Sequence, residues 1–215
     1  MHVVSVQVGQ PRRIQWKGRS IETAIFKEPV EGRVAVGETD LAGDRQADLR
    51  VHGGRDKAVY AYPSEHYAFW GQELEGVALP FGAFGENLTL AGLTEREARI
   101  GDRVRIGTAE LVVTEPRVPC FKLAAKFGRA DLILRFLASR RSGFYLRVAR
   151  TGELGREDAL ELLERGGDLR VADVVELFVT RGSNRSLFER ALADPALSTG
   201  WKEWLAERRS KADQR

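Results

Sequence analysis

The chain has 215 residues, 43% of them hydrophobic and 30% charged, a balance that excludes wholesale disorder and is enough for a core without disulfides. One cysteine and three histidines exclude an intrachain disulfide, a zinc site of paired cysteines, an iron–sulfur cluster and a His-rich metal centre. The net charge of +3 comes with no concentrated basic stripe, no apolar run of membrane-spanning length and no signal-peptide pattern, so a cytoplasmic protein that binds neither nucleic acid nor membrane is expected.

Short β-like segments fill the first two-thirds. Val3 to Val8 and Ile21 to Phe26 alternate apolar and polar residues, Glu28 to Gly32 reads as a turn, and Val34 to Val36 as a short strand. Lys57 to Tyr62, Asn87 to Leu90, Val104 to Ile106 and Glu110 to Thr114 continue the series. Gly, Pro and Asp interrupt them at short intervals, the pattern of a barrel or sandwich. Pro63 suits the first turn of a helix whose face carries Tyr67, Trp70 and Leu74. A second helix is predicted from Ala130 to Arg140, burying Leu132, Ile133, Phe136 and Leu137, and Ser142 to Val148 returns to strand. Leu160 to Leu163 fits either strand or helix, as does Val171 to Val179. Asn184 to Ala193 reads as a helix stopped by Pro195, and Ser198 or Thr199 can cap a last helix carrying Trp201, Trp204 and Leu205. The expected fold is thus mainly β with peripheral α, divided into residues 1–167 and a three-helix unit at 168–215.

Among chemistry-bearing residues, Cys120 sits in Thr114-Glu115-Pro116-Arg117-Val118-Pro119-Cys120-Phe121-Lys122-Leu123. Two prolines stiffen this loop, and Arg117 and Lys122 flank the thiol; nearby cations favour the thiolate, the form that attacks electrophiles and binds soft metals. A buried cysteine acting as a small hydrophobe is the alternative. His52, Gly53 and Gly54, with Lys57 beyond, form a polar turn that can approach an anionic ligand or be an ordinary hairpin loop. Asn87 follows a glycine-rich stretch, Phe81 to Glu86, which is neither Gly-x-Gly-x-x-Gly nor a P-loop; its amide can read a heterocycle edge or close a turn.

Taken in order, Leu41-Ala42-Gly43-Asp44 with Gln46-Ala47-Asp48, His52-Gly53-Gly54, Tyr62-Pro63 with Glu65-His66-Tyr67, Phe84-Gly85-Glu86-Asn87-Leu88, Gly92-Leu93-Thr94-Glu95 and Pro116-Arg117-x-Pro119-Cys120-x-Lys122-Leu123 resemble the MOSC-domain superfamily, named for the C-terminal domain of molybdenum cofactor sulfurase. The resemblance covers the whole chain and is strongest to the stand-alone branch that carries a helical tail. Glu115 departs from the Gln usual in that branch before the Pro-Arg pair.

The resemblance implies a MOSC-type β-barrel with peripheral helices, binding the molybdenum cofactor, a pterin dithiolene with a phosphate. The superfamily is also described as pyridoxal phosphate binding-like. Cys120 matches the metal-ligand position and is the candidate catalytic residue. Arg117, Lys122 and Lys57 are expected to meet the phosphate or pterin, and His52, Gly53, Gly54 and Asn87 to line the pocket. The implied activity is reduction of N-hydroxylated compounds, such as 6-hydroxylaminopurine, to amines, with electrons from an external donor protein, by a monomer or homodimer. The alternative is a carrier or sulfur-delivery protein for the cofactor that uses Cys120.

Overall fold

Inward apolar residues alternating with more exposed ones make several of the observed strands. Val34 and Val36 point inward between exposed Arg33 and Ala35, and Val104 and Ile106 are buried between half-exposed Arg103 and Arg105. The computed structural model describes residues 1–46 and 53–213, with side chains to Ser210. In chain order the strands are β1 (His2–Val8), β2 (Arg12–Trp16), β3 (Arg19–Thr23), β4 (Glu28–Pro29), β5 (Arg33–Val36), β6 (Val59–Pro63), β7 (Leu88–Ala91), β8 (Arg103–Ile106), β9 (Ala109–Pro116), β10 (Phe144–Arg150), β11 (Gly152–Gly155) and β12 (Leu160–Glu164). The helices are α1 (His66–Glu73), α2 (Phe121–Phe127), α3 (Leu132–Ser139), α4 (Val171–Val179), α5 (Arg185–Ala193) and α6 (Thr199–Asp213). None is long and apolar enough to cross a membrane.

Eight strands form one sheet in the order β12-β8-β9-β10-β6-β7-β1-β4, while β11 pairs β5 and β2 pairs β3 in separate ribbons. The end strands β12 and β4 are not neighbours, so the expected closed barrel is not formed as a continuous ladder. The two ends approach through backbone bonds instead: Val3 donates to the Asp158 carbonyl at 3.0 Å and Leu160 to that of Met1 at 3.0 Å. Strands β6 and β7 run parallel, which requires a crossover, and residues 64–87 with α1 provide it.

Local differences from the expected elements have simple causes. Pro63 ends β6 rather than opening the helix, which starts at His66. Glu28–Pro29 pairs with Gln7 and Val8 instead of turning; at the edge of the sheet a proline costs no ladder bond. Strand β3 stops at Thr23, and residues 24–27 leave the ribbon. In α3 only Leu132 and Phe136 are buried, whereas Ile133 and Leu137 are half-buried. Residues 160–164 settle as strand and 171–179 as helix.

Two buried clusters result. One packs Tyr60, Tyr62, Trp70, Phe84, Leu123 and Phe136 between the sheet and α1–α3. The other runs from sheet residues such as Val6, Ile106 and Val113 without a break into Val174, Leu187, Trp201 and Leu205 of the last three helices. The tail is also stitched by its backbone: Ile100 donates to Leu169 at 2.8 Å, Val171 to Ala98 at 2.9 Å and Ala172 to Glu95 at 2.9 Å. Because Leu205 is fully buried in this shared cluster, Leu205→Ala is expected to cost about 2–5 kcal/mol. Urea unfolding followed by circular dichroism and tryptophan fluorescence should show one coincident transition; two separated transitions would mean that the tail is an independent folding unit.

Candidate functional site

Strand β9 delivers the Cys120 loop. Its pairing with β10 sets Pro116 opposite Phe144, and the Arg117 amide donates to the Gly143 carbonyl at 3.3 Å. Gly143 has φ +64°, and a Cβ there would lie 2.5 Å from the Ala61 carbonyl oxygen. No other residue fits this crossing of three chain segments. The loop then places Cys120 at the start of α2.

Arg117 is buried and makes the loop rigid from inside. Its guanidinium donates to the Phe84 carbonyl at 2.8 Å and to the Tyr60 hydroxyl at 3.4 Å, and lies 4.8 Å from the centre of the Tyr60 ring. Burial works against its charge, but Tyr60, Tyr145 and the Cys120 thiol more than offset this and hold its pKa above the ordinary value. Tyr145 stacks beside Tyr60 with ring centres 5.2 Å apart, and burial pushes its hydroxyl up to about 12, so it keeps its proton at neutral pH.

Around Cys120 these side chains enclose a cavity of about 90 Å³. Of the residues singled out from sequence, Lys57, Asn87, Arg117, Cys120 and Lys122 all line it, although they come from three distant segments. Gly53 and Gly54 do not; Gly54 accepts the Lys57 amide at 3.1 Å and so shapes the turn that delivers Lys57. His52 lies outside the described residues. The same turn is anchored by Thr114, which donates to the Asp56 carbonyl at 2.6 Å, and by Arg147, 3.1 Å from the Asp56 carboxylate.

Asn87 reaches the cavity with its amide already engaged. It donates to Asp44 at 2.9 Å and to the Gln7 carbonyl at 3.3 Å, and accepts the Tyr60 amide at 3.1 Å. It thus acts as a brace between β1, β6 and the 44–46 loop. Asp44, also buried, accepts the Gly9 amide at 2.7 Å and pairs with Lys27. Burial lowers the Lys27 pKa despite this partner. Gly85, at φ +85°, brings the chain so close that a Cβ would meet Ile25 at 2.7 Å. Its neighbour Glu86 secures this loop by accepting the Gly82 and Phe84 amides at 2.8 and 3.1 Å.

Lys27, Tyr60 and Tyr145 escaped the sequence reading. Asp44 and Arg45 lie in the Leu41-to-Asp48 motif, which can be a ligand loop or a structural turn and gave neither residue a role. Glu115 turns inward. It is buried 3.5 Å from Lys57, so the extra negative charge is met by Lys57 rather than by Arg117 or Lys122. Burial raises its pKa and Lys57 opposes the rise.

The cavity therefore offers one soft sulfur ligand, the cations Lys27, Arg45, Lys57, Arg117 and Lys122, and few acids. Gln46 adds a shielded side-chain oxygen with no hydrogen-bond partner among the described residues. This donor and acceptor set fits an anionic phosphate, a hydrogen-bonding heterocycle and a thiolate-accepting metal. Arg117→Ala should cost roughly 2–4 kcal/mol, because Phe84 and Tyr60 lose their buried partner. Lys122→Ala, on a half-exposed side chain, should change stability by less than about 0.5 kcal/mol while weakening retention of an anionic ligand. Urea titration and equilibrium dialysis of inorganic phosphate check the two outcomes.

Comparison with known proteins identifies the family. A family model described as the MOSC domain matches residues 48–161. The uncharacterized protein YflK of Bacillus subtilis (strain 168) is 40% identical, covering 97% of this chain and 95% of its own length. Protein YiiM of Escherichia coli (strain K12) is 35% identical over 87% of this chain and 84% of its own. A protein named Reductase from Gibberella moniliformis is 36% identical over 69% of this chain, but the match occupies only 27% of that longer protein. The crystal structure of YiiM from Geobacillus stearothermophilus superposes with a TM-score of 0.81 at 38% identity, covering 96% of this chain and 98% of that one. With the family model spanning more than half of the sequence and these relatives aligned over most of it, the chain belongs to the MOSC domain family and is YiiM-like.

Proposed function

We propose that this chain is a molybdenum-cofactor-dependent oxidoreductase that reduces N-hydroxylated compounds to amines. The observation that carries the reading is the convergence of Cys120 with Lys27, Lys57, Arg117 and Lys122 on one cavity. The reaction is R–NH–OH + 2 e⁻ + 2 H⁺ → R–NH₂ + H₂O: the N–O bond breaks, nitrogen is reduced, and the oxygen leaves as water. When bound, the cofactor supplies the two-electron chemistry. Cys120 would hold the metal, Arg117 and Lys122 the phosphate, and Lys57 the pterin side. Among the described residues no three His, Cys, Asp or Glu side chains come together as a metal site, and Cys120 is the thiolate donor that lines the cavity.

The protein's own groups position and protonate. Arg117 fixes the Cys120 loop without leaving its buried site. Tyr145, beside Cys120 and protonated at neutral pH, is available to donate a hydrogen bond to the departing oxygen. The electrons are proposed to come from an external donor protein; the Gibberella relative, named a reductase, carries most of its length outside the region that matches this chain.

The test is turnover of cofactor-loaded protein with 6-hydroxylaminopurine and an artificial reductant. Cys120→Ser is expected to lower the rate by more than about 100-fold, beyond the 10–100-fold typical of outer partners of a metal site. Its urea midpoint should be unchanged and its X-ray absorption spectrum should lose one molybdenum–sulfur contact. Loaded wild-type protein that holds cofactor, turns nothing over and hands the cofactor to an apo-enzyme would instead be a carrier.

A further inference from the structure

A second cavity, of about 310 Å³, adjoins the Cys120 pocket and shares Lys57, Cys120 and Tyr145 with it. Its far wall comes from the C-terminal helices. Phe178 of α4 and Trp201 and Trp204 of α6 line it as a mutually packed trio, with ring centres 5.4–5.7 Å apart. Val118 and Pro119 face them from the stiff loop before Cys120. The charged side chains are confined to the Lys57–Glu115 pair, with Cys120 and the Tyr145 hydroxyl beside it.

The two cavities differ in charge. The first gathers five cations around Cys120. The second has one, Lys57, already paired with the buried Glu115 carboxylate. An anionic phosphate is disfavoured there, because the one cation is already paired with a buried carboxylate and the rest of the wall is mainly aromatic. A flat, uncharged ring with a polar edge is what such a space accommodates: aromatic faces to stack on and one polar end to orient it.

We propose that this aromatic cavity is the substrate subsite, in which Phe178, Trp201 and Trp204 select planar heteroaromatic N-hydroxylated compounds and present the N–OH group at the junction near Cys120. This rests on the reductase reading above. Specificity then resides in the helical tail and cofactor binding in the sheet. Trp204 is the residue to change, since it is half-exposed whereas Trp201 is buried in the core.

The experiment uses the full, cofactor-loaded chain with an artificial reductant and two substrates, 6-hydroxylaminopurine and N-methylhydroxylamine. Trp204→Ala is expected to lower kcat/KM for the purine roughly tenfold or more, chiefly through KM, as loss of base–aromatic stacking does. N-methylhydroxylamine should stay within about twofold, Trp204→Phe should recover most of the purine activity, and molybdenum content should be unchanged. Equilibrium dialysis of adenine, the product, gives a readout independent of turnover and should show a similar weakening in Trp204→Ala. Equal losses on both substrates, loss of molybdenum from the variant, or unchanged purine kinetics and adenine binding would each overturn the subsite. If wild-type protein reduces neither substrate but adenine binding still falls in Trp204→Ala, the reductase reading fails and the subsite stands.

Discussion

A guanidinium taken out of water must be answered on every side, and the way Arg117 is answered organises this protein. Its partners are a carbonyl from the glycine-rich crossover loop, a phenol from a central strand and the face of that phenol's ring. These groups come from segments up to 57 residues apart. Burying the charge without them would cost several kcal/mol, so the charge acts as a requirement that Phe84, Tyr60 and the Cys120 loop be in place together. The same logic repeats around the cavity, where Asp44 answers Lys27 and Lys57 answers Glu115. The pocket is a set of buried charges whose mutual compensation fixes its shape before any ligand arrives.

Much of the architecture could be read from the chain. Strands with clean alternation, such as 34–36 and 104–106, were legible because a two-residue period has one meaning when one face is buried. The ribbon of β2 and β3 was only half legible: the alternation in Arg12 to Trp16 is limited to Ile14-Gln15-Trp16, and Ile14 and Trp16 are only half-buried. Glu28–Pro29 was read as a turn because its strand character comes wholly from β1 beside it. Closure was over-read. Many short strands with glycine turns suggest a barrel, but whether the end strands pair depends on where each edge finishes, and no local pattern reports that.

The candidate site divides in the same way. Cys120, Arg117 and Lys122 stood out because they are close in sequence and carry an evident chemistry. Lys57 and Asn87 were placed by family resemblance, and the fold brings both to the cavity, Asn87 as a brace with its amide engaged inside the protein. Lys27, Tyr60 and Tyr145 gave no signal, because a lysine or tyrosine among β-like residues looks the same whether it faces solvent or a pocket. The tail's tryptophans were read as residues of a last helix. Trp201 does pack in the core, yet with Trp204 it also forms a wall beside the cysteine, a double use that sequence spacing cannot separate.

That double use has a consequence for how this architecture can change over generations. A C-terminal unit that only capped the sheet could be exchanged between relatives as a cassette, cut near residue 168 and rejoined. Here the cut would run through a buried cluster continuous from Val6 to Leu205 and through three backbone bonds joining 95–100 to 169–172. It would also give the cysteine loop a foreign wall. Recombination at that seam is therefore penalised twice, in folding and at the reaction chamber, and the two segments are constrained to drift together, each substitution on one side of the wall limiting what the other side can accept.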